Sequence, residues 1–249
     1  MMNSIYNVIL ENKQQNRKML AVLLDPDKCK GKLQDTIISE LAKHNPTFVF
    51  VGGSHIVKST DDLILALKNK LNVPVIQFPG NANQFSDKAD ALLFLSLISG
   101  RNPEFLIGQH VYSAMAVKES GIEVIPTSYL LIDGGKNTSV EYMSNTRPIP
   151  HDKIDIAVST AVAGELLGLK LTYLEAGSGA MTPVSAAMIK AVRNQLNIPL
   201  IVGGGITTTK SLISALDAGA DLVVVGNAFE TDTNKIAQFV EVVGKYIQR

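Results

Sequence analysis

The stretch Leu196-Asn197-Ile198-Pro199-Leu200-Ile201-Val202-Gly203-Gly204-Gly205-Ile206-Thr207 decides how the rest of the chain is read. An Asn-Ile-Pro step ends one element, an apolar run over 199–202 follows without inside-out alternation, and three glycines turn the chain into a segment of helical spacing. A strand apolar on both faces belongs to a parallel sheet covered by helices, since only there are both faces buried. Outward from this stretch the pattern recurs. Runs at 19–24, 47–51, 74–78, 91–95, 123–125, 171–174, 199–202 and 221–225 predict eight strands. Helical spacing predicts helices at 33–43, 61–70, 104–119, 155–167, 183–196, 208–218 and 234–247, with an extra amphipathic helix at 4–16.

One connection departs from the pattern. Residues 79–88, Pro-Gly-Asn-Ala-Asn-Gln-Phe-Ser-Asp-Lys, are too few and too rich in turn formers for a crossover helix, so a loop is expected in place of the third helix. There is also an internal echo. Leu71-Asn72-Val73-Pro74-Val75-Ile76 resembles Leu196-Asn197-Ile198-Pro199-Leu200-Ile201, and Ala89-Asp90-Ala91-Leu92-Leu93 resembles Ala220-Asp221-Leu222-Val223-Val224, each about half a chain away. Asn-x-Pro before a buried strand is also ordinary punctuation, so the echo by itself leaves both readings open. Eight strands in 249 residues with no Pro/Gly/Ser linker predict one α/β domain over 1–249, a (β/α)8 barrel modified at its third helix.

Composition narrows the function. Lys+Arg and Asp+Glu both number 23 and are scattered, which argues against nucleic-acid binding. The single cysteine, Cys29, excludes an internal disulfide and fits a reducing cytoplasm. Polar residues in 1–15 leave no room for a signal-peptide core, and the longest apolar stretch, 91–98, falls far short of the roughly 20 residues that span a bilayer. A soluble, cytoplasmic protein is expected.

In such a barrel the chemistry sits at the C-terminal ends of the strands. After the seventh strand come Gly203-Gly204-Gly205, and after the eighth Gly226-Asn227; together they offer backbone N–H groups to a phosphate, although glycines also simply shorten turns. The sixth strand ends in Tyr173-Leu174-Glu175-Ala176-Gly177-Ser178-Gly179, where Glu175 can accept a proton from a bound hydroxyl and Tyr173 points the same way by strand alternation. The first strand ends in Leu23-Leu24-Asp25-Pro26-Asp27-Lys28 and the second in Val51-Gly52-Gly53-Ser54-His55. Asp25, and more weakly Ser54, are hard oxygen ligands suited to Mg²⁺, while Asp27 fits a site role and the N-cap of the next turn equally well and Lys28 is compatible with a solvated side chain. The four histidines are unclustered, which argues against zinc.

These motifs together resemble the geranylgeranylglyceryl phosphate synthases and their bacterial PcrB-type relatives. The resemblance runs in order through residues 23–28, 51–54, 74–81, 126–131, 173–179, 203–206 and 225–227, and its length and leading helix look like the longer archaeal and Bacteroidetes-type members. It implies a barrel lacking the third helix and a prenyltransferase that joins the 3-hydroxyl of sn-glycerol 1-phosphate to geranylgeranyl diphosphate through an ether bond. It further implies that the glycerol phosphate is held by Tyr173, Leu174, Glu175, Ala176, Gly177, Ser178, Gly179, Gly204, Gly205, Gly226 and Asn227. Mg²⁺ would rest on Asp25 and Ser54, and Glu175 is the expected base. Phe78, Pro79, Phe85 and the apolar region 91–98 mark where a groove for the prenyl tail can open.

Two other readings stand beside this one: a phosphosugar isomerase or aldolase pairing Asp25 with Asp133, and a non-catalytic phosphoglycerol-binding barrel. Asp133, followed by Gly134-Gly135-Lys136-Asn137, reads as a turn well past the fifth strand. The polar segment 136–152 is expected to be a mobile loop or a subunit contact carrying exposed Tyr142 and Met143, and with the oligomeric relatives it predicts a homo-oligomer, from dimer to hexamer. A peripheral membrane contact is expected from the lipid substrate.

Overall fold

Every apolar run forms a strand. The computed structural model describes residues 4–247, with β1 Met19–Leu24, β2 Phe48–Gly53, β3 Val75–Pro79, β4 Ala91–Ser96, β5 Glu123–Leu131, β6 Leu171–Glu175, β7 Leu200–Gly203 and β8 Leu222–Val225. All pair in parallel in chain order, and β8 closes onto β1. Alternation then divides the apolar side chains between two cores. Met19, Phe48, Phe50, Phe78, Leu93 and Tyr173 fill the barrel interior, whereas Leu20, Val49, Leu130, Leu174 and Val202 face the surrounding helices.

The helices are α1 Ile5–Gln14, α2 Gly31–Lys43, α3 Thr60–Lys68, α4 Gln109–Ser120, α5 Ser139–Ser144, α6 Ile154–Leu166, α7 Ala186–Arg193, α8 Thr209–Asp217, α9 Asn227–Thr231 and α10 Lys235–Ile247. The leading helix α1 covers the N-terminal end of the barrel, adding Ile5 and Ile9 to the interior core. Its orphan amides are met by Glu123 at the start of β5, which accepts Ile5 N at 2.7 Å, Tyr6 N at 2.8 Å and the Ser4 hydroxyl at 2.6 Å.

Between β3 and β4 there is only a 3₁₀ turn, Ala82–Gln84. Buried Gln77 holds this loop from below: its amide nitrogen donates to the Gln84 carbonyl and its oxygen accepts Ser86 N at 2.9 Å. Gln84 Oε1 in turn accepts Gly80 N at 2.8 Å. Side-chain amides thus supply the hydrogen bonds that a helix would have made internally.

The echo between the half-chains is structural. Asp90 Oδ2 accepts Val75 N at 2.8 Å and Asp221 Oδ2 accepts Leu200 N at 2.8 Å. Each carboxylate also meets a cation from the preceding helix or its end, Lys68 at 2.6 Å and Arg193 at 2.8 Å. The Asp that precedes β4 and its counterpart before β8 therefore each anchor the first amide of the strand before.

Three expectations need correction. The fifth strand runs on to Leu131 because Pro126, which looks like a strand breaker, loses only its own donor: it pairs opposite Phe94, and its carbonyl accepts Lys170 N at 2.8 Å. The helix expected at 104–119 opens with a π-helical turn, Glu104–Gly108, before becoming α4. Within 136–152, Thr138 caps the short helix α5 and Ile149 forms a parallel bridge with Ile132, so the segment is not all loop, although Tyr142 and Met143 are exposed on it as expected.

Candidate active site

The C-terminal strand ends enclose a cavity of about 1270 Å³, counting the part open to solvent. Tyr173, Glu175, Ser178, Gly179, Gly204, Gly205, Gly226 and Asn227 line it on the side of β6, β7 and β8; Asp25 and Ser54 line it on the side of β1 and β2. Three members of the 173–179 stretch stand apart. Leu174 and Ala176 pack outward among the helices, as strand parity requires, and Gly177 lies behind the wall with its amide on Glu175.

The glycine-rich side is shaped for an anion. Gly204 takes φ +82°, and a Cβ there would fall 2.5 Å from Glu175 Oε1 and 2.6 Å from Gly177 N, so no other residue fits. Ser178 donates its hydroxyl to Asn227 Oδ1 at 3.0 Å. A Cβ built on Gly179 would lie 3.2 Å from both Asn227 Nδ2 and Lys136 Nζ, which places two donors over that loop.

Glu175 is 5% exposed, and burial pushes its carboxyl up to about 7, against the opposing pull of neighbouring donors. Its Oε1 accepts Gly177 N at 2.6 Å. The Tyr173 hydroxyl faces this carboxylate but has no well-formed hydrogen-bond partner, and burial beside the carboxylate raises its pKa well above the ordinary tyrosine range. Tyr129 is raised for the same two reasons. A carboxylate that titrates near neutrality, next to polar groups free to bind a ligand, is equipped to take up a proton from a bound hydroxyl.

Across the cavity, Asp25 Oδ1 accepts Asp27 N at 2.9 Å. Lys28 is tethered rather than freely solvated, its ammonium lying 3.8 Å from Asp25 Oδ2 and 3.5 Å from Glu230 Oε2. Asp27 is not the N-cap of the next turn: its carboxylate reaches the loop after β2 and accepts Val57 N at 2.9 Å and Lys58 N at 3.0 Å. Asp133 turns away from the cavity and accepts Gly135 N at 2.8 Å, so it forms a turn, though one close to the strand end once β5 reaches Leu131.

A second space, about 810 Å³ including its open part, lies between the 79–85 loop, β4 and α4. Phe78, Pro79, Phe85, Leu93, Leu95 and Phe105 make it apolar, and Val140 and Met143 of α5 contribute to its wall. Phe78 and Tyr129 border both spaces, with their rings 5.9 Å apart and that of Tyr173 stacked 5.4 Å from Phe78. Tyr129 is the residue that sequence reading missed. The alternation Thr127, Tyr129, Leu131 was the available signal.

A family model described as the PcrB family matches residues 12–243. A geranylgeranylglyceryl phosphate synthase of Spirosoma linguale is 49% identical over 242 residues, covering 97% of each chain. One from Thermococcus kodakarensis is 41% identical over 223 residues, covering 89% of this chain and 88% of the relative. The crystal structure of (S)-3-O-geranylgeranylglyceryl phosphate synthase from Thermoplasma acidophilum, in complex with its substrate sn-glycerol-1-phosphate, is similar with a TM-score of 0.90 at 34% identity over 99% of both chains. Agreement over nearly the whole length, in sequence and in fold, establishes that the chain belongs to the PcrB family.

Proposed function

We propose that the protein is a geranylgeranylglyceryl phosphate synthase, which joins the 3-hydroxyl of sn-glycerol 1-phosphate to C1 of geranylgeranyl diphosphate and releases diphosphate. The observation that carries this reading is the junction of two unlike spaces: a polar cavity with a glycine cradle and Glu175 adjoins an apolar cavity at Phe78 and Tyr129. One substrate is a small phosphorylated polyol and the other a diphosphate with a long apolar tail. Each space fits one of them, and the reacting atoms meet at their border.

The phosphate of sn-glycerol 1-phosphate rests on the loops of Ser178, Gly179, Gly204, Gly205, Gly226 and Asn227, where amides and a side-chain amide supply the hydrogen bonds. Anchoring the phosphate orients the 3-hydroxyl towards Glu175. As the hydroxyl oxygen bonds to the allylic carbon, its proton passes to Glu175, and the bond from that carbon to the diphosphate oxygen breaks with its electron pair leaving on the diphosphate. Negative charge on Glu175 and the faces of Tyr129, Tyr173 and Phe78 stabilise positive charge at the carbon. The apolar cavity takes the tail, and its walls keep water from competing for the carbon.

The donor set on the β1–β2 side fits Mg²⁺. Asp25 Oδ2 has only a long contact with Lys28, and the Ser54 hydroxyl lines the same cavity. Among the described residues no group of three or more His, Cys, Asp or Glu side chains is arranged to hold a metal, so the ion would rest on these two oxygens and take the rest of its shell from water and phosphate. Bound there, Mg²⁺ would neutralise the diphosphate and make it a better leaving group.

No helix among the described residues is long and apolar enough to cross a membrane. The proposal extends to a cytoplasmic homo-oligomer that touches membranes peripherally; support for association comes from apolar side chains outside the barrel, with Tyr142 86% and Tyr112 74% exposed. Light scattering that finds a monomer at micromolar concentration overturns the oligomer. The activity is tested by incubating the protein with sn-glycerol 1-phosphate and a ladder of prenyl diphosphates, with and without Mg²⁺, and weighing the products. A dominant C20 ether formed only with Mg²⁺ supports the reading, and no product from any donor overturns it.

A further inference from the structure

Asp25 and Ser54 follow different strands, β1 and β2, each as the first residue of its own loop, and a shared ligand requires the two loops to keep a fixed separation. The turn after β1 is tight, with Lys28 N and Cys29 N both donating to the Asp25 carbonyl at 3.1 and 2.7 Å. At its tip Asp27 presents both carboxylate oxygens to the neighbouring loop, Oδ2 to Val57 N at 2.9 Å and Oδ1 to Lys58 N at 3.0 Å. Its own amide donates to Asp25 Oδ1 at 2.9 Å. That bond engages one oxygen of Asp25 and leaves Oδ2 directed at the end of β2, where a Cβ on Gly53 would lie 3.4 Å away. The clasped loop gains no packing from Val57, which is 81% exposed. Charge-assisted bonds to a carboxylate are the strong kind, and two of them from successive amides fix direction as well as distance.

We propose that Asp27 is a positioning residue: it clasps the β1 and β2 loops together, sets the distance between Asp25 and Ser54, and thereby tunes affinity for the metal and the diphosphate more than affinity for sn-glycerol 1-phosphate. This rests on the assignment of Asp25 and Ser54 to Mg²⁺. The cradle loops after β6 and β7 lie across the cavity; the loop after β8 adjoins the β1 turn, where Lys28 Nζ donates to Asn227 Oδ1 at 3.5 Å, but it receives no bond from Asp27 itself, so the clasp bears first on the metal side.

The test titrates Mn²⁺, followed by electron paramagnetic resonance with inorganic diphosphate present, into the wild-type protein and into Asp27→Ala, Asp27→Asn and Asp25→Ala. Asp27→Ala is expected to weaken Mn²⁺ binding about 10–100-fold, as loss of a partner behind a metal ligand does. It should raise KM for the prenyl diphosphate well above any change in KM for sn-glycerol 1-phosphate. Asp27→Asn keeps one acceptor oxygen and should fall between; it also carries the test if the alanine variant does not fold. Wild-type Mn²⁺ affinity in Asp27→Ala with loss in Asp25→Ala overturns the positioning role alone. Loss in Asp27→Ala with wild-type affinity in Asp25→Ala overturns the metal assignment, and an equal rise in both KM values reduces Asp27 to a structural part.

Discussion

Replacing Glu175 with glutamine should slow the reaction and strengthen the fold. The side chain is 5% exposed, and its carboxyl is raised from 4.5 to about 7, chiefly because burial disfavours the charged form. At about 1.4 kcal/mol per pH unit, keeping this group ionised in the folded state costs roughly 3 kcal/mol above pH 7. The sign follows from proton counting. Between pH 4.5 and about 7 the folded protein holds a proton that the unfolded chain has lost, so stability falls as pH rises through this window and levels off above it. Glutamine stays neutral, has nearly the same shape and can still accept Gly177 N through its oxygen. Glu175→Gln should therefore exceed the wild-type protein by about 3 kcal/mol at pH 8, a rise in Tm of roughly 6–12 °C for a domain of this size, with the gap closing towards pH 4.5. Turnover should drop about 10²–10⁴-fold, the range for a lost general base. The wild-type kcat/KM should rise with pH through an apparent pKa near 7. Thermal and urea unfolding at pH 8 and pH 5, beside initial rates, make the comparison. If the variant is no more stable than the wild type at pH 8, or its advantage does not shrink on acidification, the argument from burial fails; near-normal turnover removes Glu175 as the base.

Gly204→Ala forces a side chain into a positive φ and against Gly177 N, so it should cost roughly 1–3 kcal/mol and abolish saturable dependence on sn-glycerol 1-phosphate, which unfolding curves and initial rates will check. Asp221→Ala strands Arg193 and the Leu200 amide in a buried place and should cost about 3–5 kcal/mol in a denaturant titration, while Asp90→Ala, at the more exposed echo of that site, should cost about 1–2 kcal/mol; equal losses would contradict the ranking by burial. Glu123→Ala removes the acceptor for two amides and a hydroxyl of the leading segment and should cost about 2–3 kcal/mol, with hydrogen exchange accelerating first in α1.

The eight strands were legible because burial on both faces leaves runs such as Leu222-Val223-Val224-Val225 with no polar residue to interrupt them. Glu175 was legible for the converse reason, a charge at the end of such a run. Pro126 hid the second half of β5, and with it Tyr129, because the barrel tolerates a missing donor that a general rule forbids. Leu174 and Ala176 entered the site reading with their whole stretch, although parity along β6 sends Leu174 outward. The N-cap alternative for Asp27 fails because its partners are backbone amides on another loop, and amides carry no signature in a sequence. The apolar space is a property of what is missing between β3 and β4. Composition supplied its residues but not its shape.

That missing helix changes what the fold is made of. In an ordinary barrel of this kind protein covers every strand, whereas here, on the proposed function, part of the covering layer beside β4 is left for a hydrocarbon guest lying against Phe85, Phe94 and Phe105. A prenyl chain bound there would act as a removable piece of the core, and by mass action the protein should resist unfolding more while it is loaded than when it is empty. Heat stability becomes a readout of lipid occupancy, and the length of hydrocarbon that stabilises most measures the gap left by the absent helix.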